Sequence, residues 1–503
     1  MPNDTSTIDQ KSTKKRLYDY QITDLNRIFE VMEDAPANYN LLYQLPTGGG
    51  KTVIFSEIVR RYIQKHSKKV VILTHRIELC KQTSNVLSGF SVKNKVINSK
   101  VKTLPDQDEY KCFVAMVETL NNRLSDKEFE LHDIGLVIID EAHYNSFRKL
   151  FKFFDTCFIL GVTATPLSSN IKLPMKDNYD KLIVGDNIAT LINNGFLAKA
   201  NVYNYDVGLT SLKIGINGDY TVKSSEALYT NSMMQTKLLH AHEEVSKGKK
   251  TLIFNNGIHT SKEVYHTFKR AGYNVRHLDN TANKHDRKEI LQWFKHTPDA
   301  ILSSVSILTT GFDEPSVEVI ILNRATRSLT LYFQMIGRGS RIYKDRNTFE
   351  VIDLGNNLAR FGAWDQPVDW QHIFKYPDLY LENIVDDEDL ERDFVYVMPD
   401  NLKEKFKNSV NDFDVKKEYQ EVLKSSKKSF AVIERAIVQH SQMCIENSED
   451  VYDARDLAKL LHDDIRYRIK QYCYCIMNST QNYKDWLFEE YNRRLRLSFN
   501  GKF

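Results

Sequence analysis

The chain has 503 residues, enough for roughly two to four domains with separate cores. Apolar residues make up 42% and charged residues 27%, as in an ordinary soluble globular protein. Lys plus Arg (69) exceeds Asp plus Glu (66) by only three, so net charge gives no argument for nucleic acid and any basic surface must be local.

The six cysteines, Cys80, Cys112, Cys157, Cys444, Cys473 and Cys475, show no paired CxxC spacing. With no secretory leader, reduced thiols in a cytoplasmic setting are expected, without a structural zinc. No apolar run approaches the ~20 residues of a membrane helix. Residues 1–15 are polar and are expected to form a loose tail.

From residue 16 to 200, short β-branched runs alternate with helical patterns. Leu41–Gln44, Val70–Thr74, Phe113–Met116, Leu136–Asp140 and Phe158–Val162 read as buried strands of a mainly parallel sheet. Within this stretch PTGGGKT, from Pro46 through Thr47, Gly48, Gly49, Gly50 and Lys51 to Thr52, follows a strand and precedes a helical run. That is the context a phosphate loop requires: bare backbone N–H groups curl around oxygen and a helix N-terminus adds positive dipole. Lys51 is expected on the terminal phosphates of ATP and the Thr52 hydroxyl on Mg²⁺. LVIIDEAH, Leu136 to His143, ends an apolar strand in two carboxylates at the sheet's C-terminal edge. Asp140 is expected to hold Mg²⁺ and Glu141 to deprotonate the attacking water.

Residues 201–232 are less periodic and read as a connector. A second α/β domain spans residues 233–365, with strands at Thr251–Asn255, Val275–Leu278, Ala300–Ser303, Val317–Leu322 and Phe349–Asp353. It carries QMIGRGSR, Gln334 to Arg341, whose Arg338 and Arg341 are expected one turn apart on a shared helix face. Guanidinium groups suit the charge of a phosphoryl transition state. With the phosphate loop in one lobe and these arginines in the other, hydrolysis requires the lobes to close.

These motifs, in this order, make residues 16 to 362 resemble a superfamily 2 helicase. The resemblance implies two RecA-like domains and a strand held across them. It places Gln21 of LYDYQ at the adenine and Arg76 of THRIELCKQ on the phosphate backbone. It likewise implies nucleic-acid contacts for Thr119 of MVETL and for Thr309 and Thr310 of LTTGFDEP, with Gly311 and Asp313 on the nucleotide side. TAT (Thr163 to Thr165) resembles the motif linking hydrolysis to the bound strand. Thr119 also reads as a helix cap. LTHRIELCKQ, TTGFDEPSVEVIIL and VIDLGNNLARFG look most like RadD-like repair helicases and the helicase subunits of type III restriction systems.

Residues 366–400, with the acidic run DDEDLERD, read as a linker, and residues 401–503 as a helical accessory domain. Arg493, Arg494 and Arg496 of YNRRLRL are either a solvated helix end or a phosphate-tracking patch. The expected whole is an ATP- and Mg²⁺-dependent helicase or translocase on single-stranded or branched DNA, with RNA open, acting in repair or recombination. An ATPase subunit of a restriction or antiviral assembly, docking a protein partner through the helical domain, is the alternative. An ATP-gated nucleic-acid sensor with little turnover is the third reading.

Overall fold

The computed structural model describes residues 17–104, 107–170, 172–205, 207–209, 211–305, 308, 312, 314–387, 390, 398–425, 428–476, 481–500 and 502. The expected tail, and Thr309, Thr310, Gly311 and Asp313, lie outside the described residues. The chain divides after Asp386 into two compact units.

The first unit contains two sheets. One is built from β1 (Asn40–Gln44), β2 (Lys69–Thr74), β3 (Asn94–Ile97), β4 (Cys112–Met116), β5 (Ile134–Asp140), β6 (Phe158–Thr163) and β7 (Lys181–Val184), in the order β3-β4-β2-β5-β6-β1-β7. Its strand pairs are parallel. A parallel sheet is covered on both faces, so its strands are continuous apolar runs; all six residues of β2, KVVILT, are buried. Parallel strands also bring their C-terminal ends to one edge. Because β6 lies between β1 and β5, the segments following these three strands emerge side by side.

The second sheet comprises β8 (Lys199–Asn204), β9 (Thr251–Asn255), β10 (Val275–Leu278), β11 (Ile301–Val305), β12 (Val319–Asn323) and β13 (Thr348–Asp353), again parallel, in the order β10-β11-β9-β12-β13-β8. One apolar cluster runs through both halves of this unit, including Leu42 and Leu197 with Leu302 and Ile336. The ten strands expected from sequence are present within a residue or two; β3, β7 and β8 are additional.

Two boundaries differ from expectation. The lobe division drawn at residue 200 cuts through β8, which pairs with β13 along its whole length and belongs to the second sheet. The stretch read as a linker from residue 366 folds at first onto the first unit. Trp370, in the helix Trp370–Lys375, is buried with its ring centroid 5.8 Å from that of Phe333, and Gln371 Nε2 donates to the Leu182 carbonyl of β7 at 3.0 Å. Short helices with one apolar anchor carry too little periodicity to be seen in the sequence.

The second unit, from Asp387, is helical where described, with Val415–Lys424, Ala431–Glu446, Val451–Leu460, His462–Cys475 and Gln481–Ser498 packed around Phe406, Ile433, Leu461, Leu487 and Leu495. Among the described residues no helix is long and apolar enough to cross a membrane.

Candidate functional site

The phosphate loop leaves β1 and ends at Gly50, the N-cap of helix Lys51–Lys65. Gly48 and Gly50 take φ of +94° and +85°, a region that glycine enters without a Cβ penalty. Their neighbours are close as well. A Cβ on Gly50 would stand 2.5 Å from Gln21 Nε2, and one on Gly48 would stand 2.7 Å from Leu197 Cδ2. The helix Asp19–Asp34 braces the loop from outside: Tyr20 Oη donates to the Gly49 carbonyl at 2.7 Å and the buried Gln21 amide to the same oxygen at 3.3 Å. Lys51 Nζ lies 3.1 Å from the Leu45 carbonyl and 3.3 Å from that of Pro46. Burial lowers its pKa, against the pull of Glu141 and Asp140. Thr52 follows in the first helical turn. Bare backbone, a helix N-terminus and an ammonium fit a polyphosphate.

Asp140 closes β5, and its Oδ1 accepts the Glu141 N–H at 3.1 Å. Burial, with Glu141 adjacent, pushes its pKa up. Glu141 has φ of +55°, a left-handed backbone that costs a non-glycine residue on the order of 1–3 kcal/mol. Its Oε2 is buried with no hydrogen-bond partner among the described residues. Burial would raise this carboxyl, but the His143 Nδ1–H beside it and the charges of Lys51 and Arg338 outweigh it and hold the pKa below the ordinary value. Glu141 is thus ionised, strained and under-satisfied.

A chain of polar contacts runs from this carboxylate to the second sheet's half. His143 Nδ1 is 3.5 Å from Glu141 Oε2 and 3.1 Å from Thr163 Oγ1; its Nε2 is 3.4 Å from the Gln334 amide nitrogen. Gln334 can only donate there, so Nε2 accepts and Nδ1 carries the proton of a neutral ring. Burial, the main cause, keeps its pKa low. Thr163 donates to the Thr165 carbonyl at 2.9 Å, and Thr165 Oγ1 donates to Thr330 Oγ1 at 2.9 Å. Gln334 and Thr330 both lie on helix Leu329–Ile336, so that helix is tied twice to the segments following β5 and β6.

Arg338 and Arg341 do not share a helix face, contrary to the sequence expectation. The helix stops at Ile336 with Gly337 as its C-cap; Arg338 lies in the turn beyond it and Arg341 in the irregular stretch that follows. A Cβ on Gly337 would stand 2.7 Å from the Thr47 side chain, so this turn is pressed against the phosphate loop. Arg341 Nη1 donates to the Gly48 carbonyl at 2.9 Å, and Arg338 Nη1 to the Phe312 carbonyl at 2.7 Å. An irregular turn lets two guanidinium groups approach from different directions.

Pro46, Thr47, Gly48, Gly49, Gly50, Lys51, Gln21, Asp140, Glu141, Gln334, Arg338 and Arg341 therefore converge on one seam. Arg76 is half-buried at the N-cap of helix Ile77–Gly89. Thr119 is half-buried in the first turn of Val117–Ser125, whose N-cap is Met116, so it is not the cap. The arginines of the second unit divide. Arg494 is held by Glu490 and Glu434 and covers the Phe430 ring, whereas Arg493 binds Glu490 and Arg496 is exposed.

Several further residues belong to this site without a sequence signal for their role. His143 is the last letter of DEAH, and nothing local to that motif shows what its ring contacts. His75 follows β2, and both its ring nitrogens are buried without a hydrogen-bond partner among the described residues. Its ring lies 4.2 Å from that of Tyr144, which lies 4.3 Å from that of His143. Burial lowers the His75 pKa to about 4. Thr330 offers no sequence signal.

Residues 14–168 match the family model of the type III restriction enzyme res subunit, and residues 233–343 match that of the helicase conserved C-terminal domain. A 51.5 kDa protein of a Lactococcus phage is 31% identical over 66% of this chain and 70% of its own length. A putative ATP-dependent helicase, IRC3, of Saccharomyces cerevisiae is 30% identical over 62% of this chain but only 47% of its own. The fold is shared with a fragment of a putative HsdR subunit of a type I restriction enzyme from Vibrio vulnificus, at a TM-score of 0.55 and 21% identity over 69% of this chain and 65% of that one. The chain belongs to the ATP-hydrolysing superfamily 2 helicases, related to the type III restriction res subunit.

Proposed function

We propose that the chain is an ATP-driven motor that closes its two sheet-bearing lobes on a DNA strand, acting in repair or recombination. One observation carries the reading: Arg341 of the second lobe donates into the phosphate loop of the first at 2.9 Å, so nucleotide held there touches both halves. Glu141, ionised at neutral pH, accepts the proton of a water whose oxygen bonds to the γ-phosphorus of ATP while the bond to the ADP oxygen breaks. Lys51, Arg338 and Arg341 stabilise the charge on the transferring group. Thr52 and Asp140 are the oxygen donors that fit Mg²⁺, which when bound neutralises phosphate charge. An opened seam takes both arginines away, which ties turnover to lobe closure. Arg76, Thr119, Thr309 and Thr310 would grip the strand by its phosphates, independent of base sequence. Cysteine spacing favours the cytoplasm.

The match to a restriction res subunit supports a second reading, an ATPase subunit of a restriction or antiviral assembly whose helical unit docks a protein partner. Phosphate release across single-stranded, forked and duplex DNA and RNA tests the motor. A rate near zero that no strand raises overturns it in favour of a sensor. A forked-DNA gel beside triplex displacement then separates the first two readings, because displacement without unwinding marks a translocase.

A further inference from the structure

The second unit contains a concavity of about 550 Å³ between helices Val451–Leu460 and Gln481–Ser498. A space of this size lies within the ~300–1,000 Å³ range of ligand sites. Its walls carry Arg455 and Lys459 on one helix and Arg493 and Arg496 on the other, against a single lining carboxylate, Glu489. Each pair sits about one helical turn apart, roughly 6 Å along the helix for Arg455 and Lys459 and about 4.5 Å for Arg493 and Arg496, so the groove has two rails of positive charge. His462 and Phe488 also line it, their rings 4.8 Å apart, with the Arg466 guanidinium 4.6 Å from the Phe488 centroid.

Solvated cationic faces usually carry interspersed acids. Arg494, outside the groove, follows that pattern by turning to Glu490 and Glu434, and two groove cations do as well, Arg493 bonding Glu490 at 2.8 Å and Lys459 bonding Asp456 at 2.7 Å. Arg455 and Arg496, both exposed, have no carboxylate partner among the described residues. Like charges facing one another across a concave wall focus potential in the space between. Repeated cations along two rails suit a polymer of repeated anions better than one isolated ion. Guanidinium forks suit phosphate oxygens in particular.

We propose that this groove is a second strand-binding site, which grips the phosphate backbone of single-stranded DNA through Arg455, Lys459, Arg493 and Arg496. The proposal rests on the motor reading for the nature of its ligand. Of the two sequence readings of Arg493, Arg494 and Arg496, a solvated helix end or a phosphate-tracking patch, it keeps the phosphate role for Arg493 and Arg496 and builds it into a groove between two helices.

The test is fluorescence anisotropy of labelled oligothymidylate with the full chain and no nucleotide, across a salt series, for the parent, Arg455→Ala/Arg496→Ala and Arg494→Ala. Circular dichroism and thermal melting of each variant check that the helices persist. The expected result for the double variant is a drop in affinity of roughly tenfold or more at low salt. The slope of log affinity against log salt should become shallower by about 1.4, at ~0.7 for each single-strand phosphate that is no longer neutralised. Arg494→Ala should keep the parental slope. A double variant with parental affinity and slope, beside a parent that binds the strand, overturns the groove alone. A parent that binds no strand overturns the motor reading and this one together. A double variant that fails to bind poly-glutamate but keeps oligothymidylate binding gives the groove to an acidic protein segment and also overturns the proposal.

Discussion

His143 at the lobe seam and His440 in the helical unit are both buried histidines that meet polar groups at both ring nitrogens, yet their surroundings differ. His440 Nε2 meets Asp464 Oδ2 at 2.8 Å and its Nδ1 meets Tyr491 Oη at 2.8 Å. Arg468 donates to both Asp464 oxygens, at 3.1 and 2.8 Å, and to Gln439 at 2.6 Å. Every partner is a side chain of one helical bundle. Around His143 the hydrogen bonds cross from one sheet's half to the other, and the adjoining Glu141 keeps a left-handed backbone and an oxygen with no hydrogen-bond partner among the described residues. A satisfied network fixes packing. An under-satisfied, strained one is the arrangement expected where a reacting group is to be received.

The sharpest way to break that comparison is Glu141→Gln. The amide keeps the shape and removes the base, so phosphate release should fall by about 10²–10⁴-fold while the fold stays near parental stability. A parental rate would make Glu141 merely another buried acid. Arg338→Ala probes the same seam from the opposite lobe. Turnover should drop by about 10³-fold with nucleotide affinity nearly kept, as read by steady-state kinetics and nucleotide titration. A rate within about tenfold of the parent would detach the turn after Ile336 from the chemistry.

Asp464→Ala makes the converse attack on the helical unit. It strips Arg468 and His440 of their shared carboxylate, and breaking a buried charged pair costs about 3–5 kcal/mol. Hydrogen exchange across helix Ala431–Glu446 should accelerate markedly, while ATP turnover without nucleic acid stays at the parental value. Unchanged exchange would mean the network does not hold the bundle.

How much of this was legible follows from where the information sits. The strands of both lobes announce themselves as β-branched runs because both faces of a parallel sheet are buried. PTGGGKT and DEAH are local: backbone freedom, a helix start and a strand end are all written within a few consecutive residues. The arginine turn was half legible. Its residue types were plain, but helical spacing alone does not reveal that the helix ends at Gly337. The seam's second tie, Thr165 to Thr330, joins residues 165 positions apart and leaves no local trace. The groove was hidden for a similar reason, since Arg455 and Lys459 reach Arg496 only through packing of two helices.

The smallest expected effect separates the two histidines by their protons. Burial, with Arg468 beside it, lowers the His440 pKa to about 4 against its ordinary 6.5. Tyr491 can donate its O–H to Nδ1, while Nε2–H donates to Asp464, whose carboxylate pulls the pKa up without overcoming burial and Arg468. Between about pH 6.5 and pH 4 the unfolded chain therefore binds a proton here that the folded unit refuses. The contribution to stability is full above the unfolded value and is lost as pH falls through that window, with a slope of at most about 1.4 kcal/mol per pH unit. Hydrogen exchange of helix Ala431–Glu446, corrected for intrinsic rates at each pH, should show opening become easier as the solution is acidified. His440→Gln keeps a polar side chain at that position but cannot titrate, so its profile should be flatter over the same range. Equal slopes in parent and variant would place the acid sensitivity elsewhere, and would leave His440 a packing residue whose proton plays no part in stability.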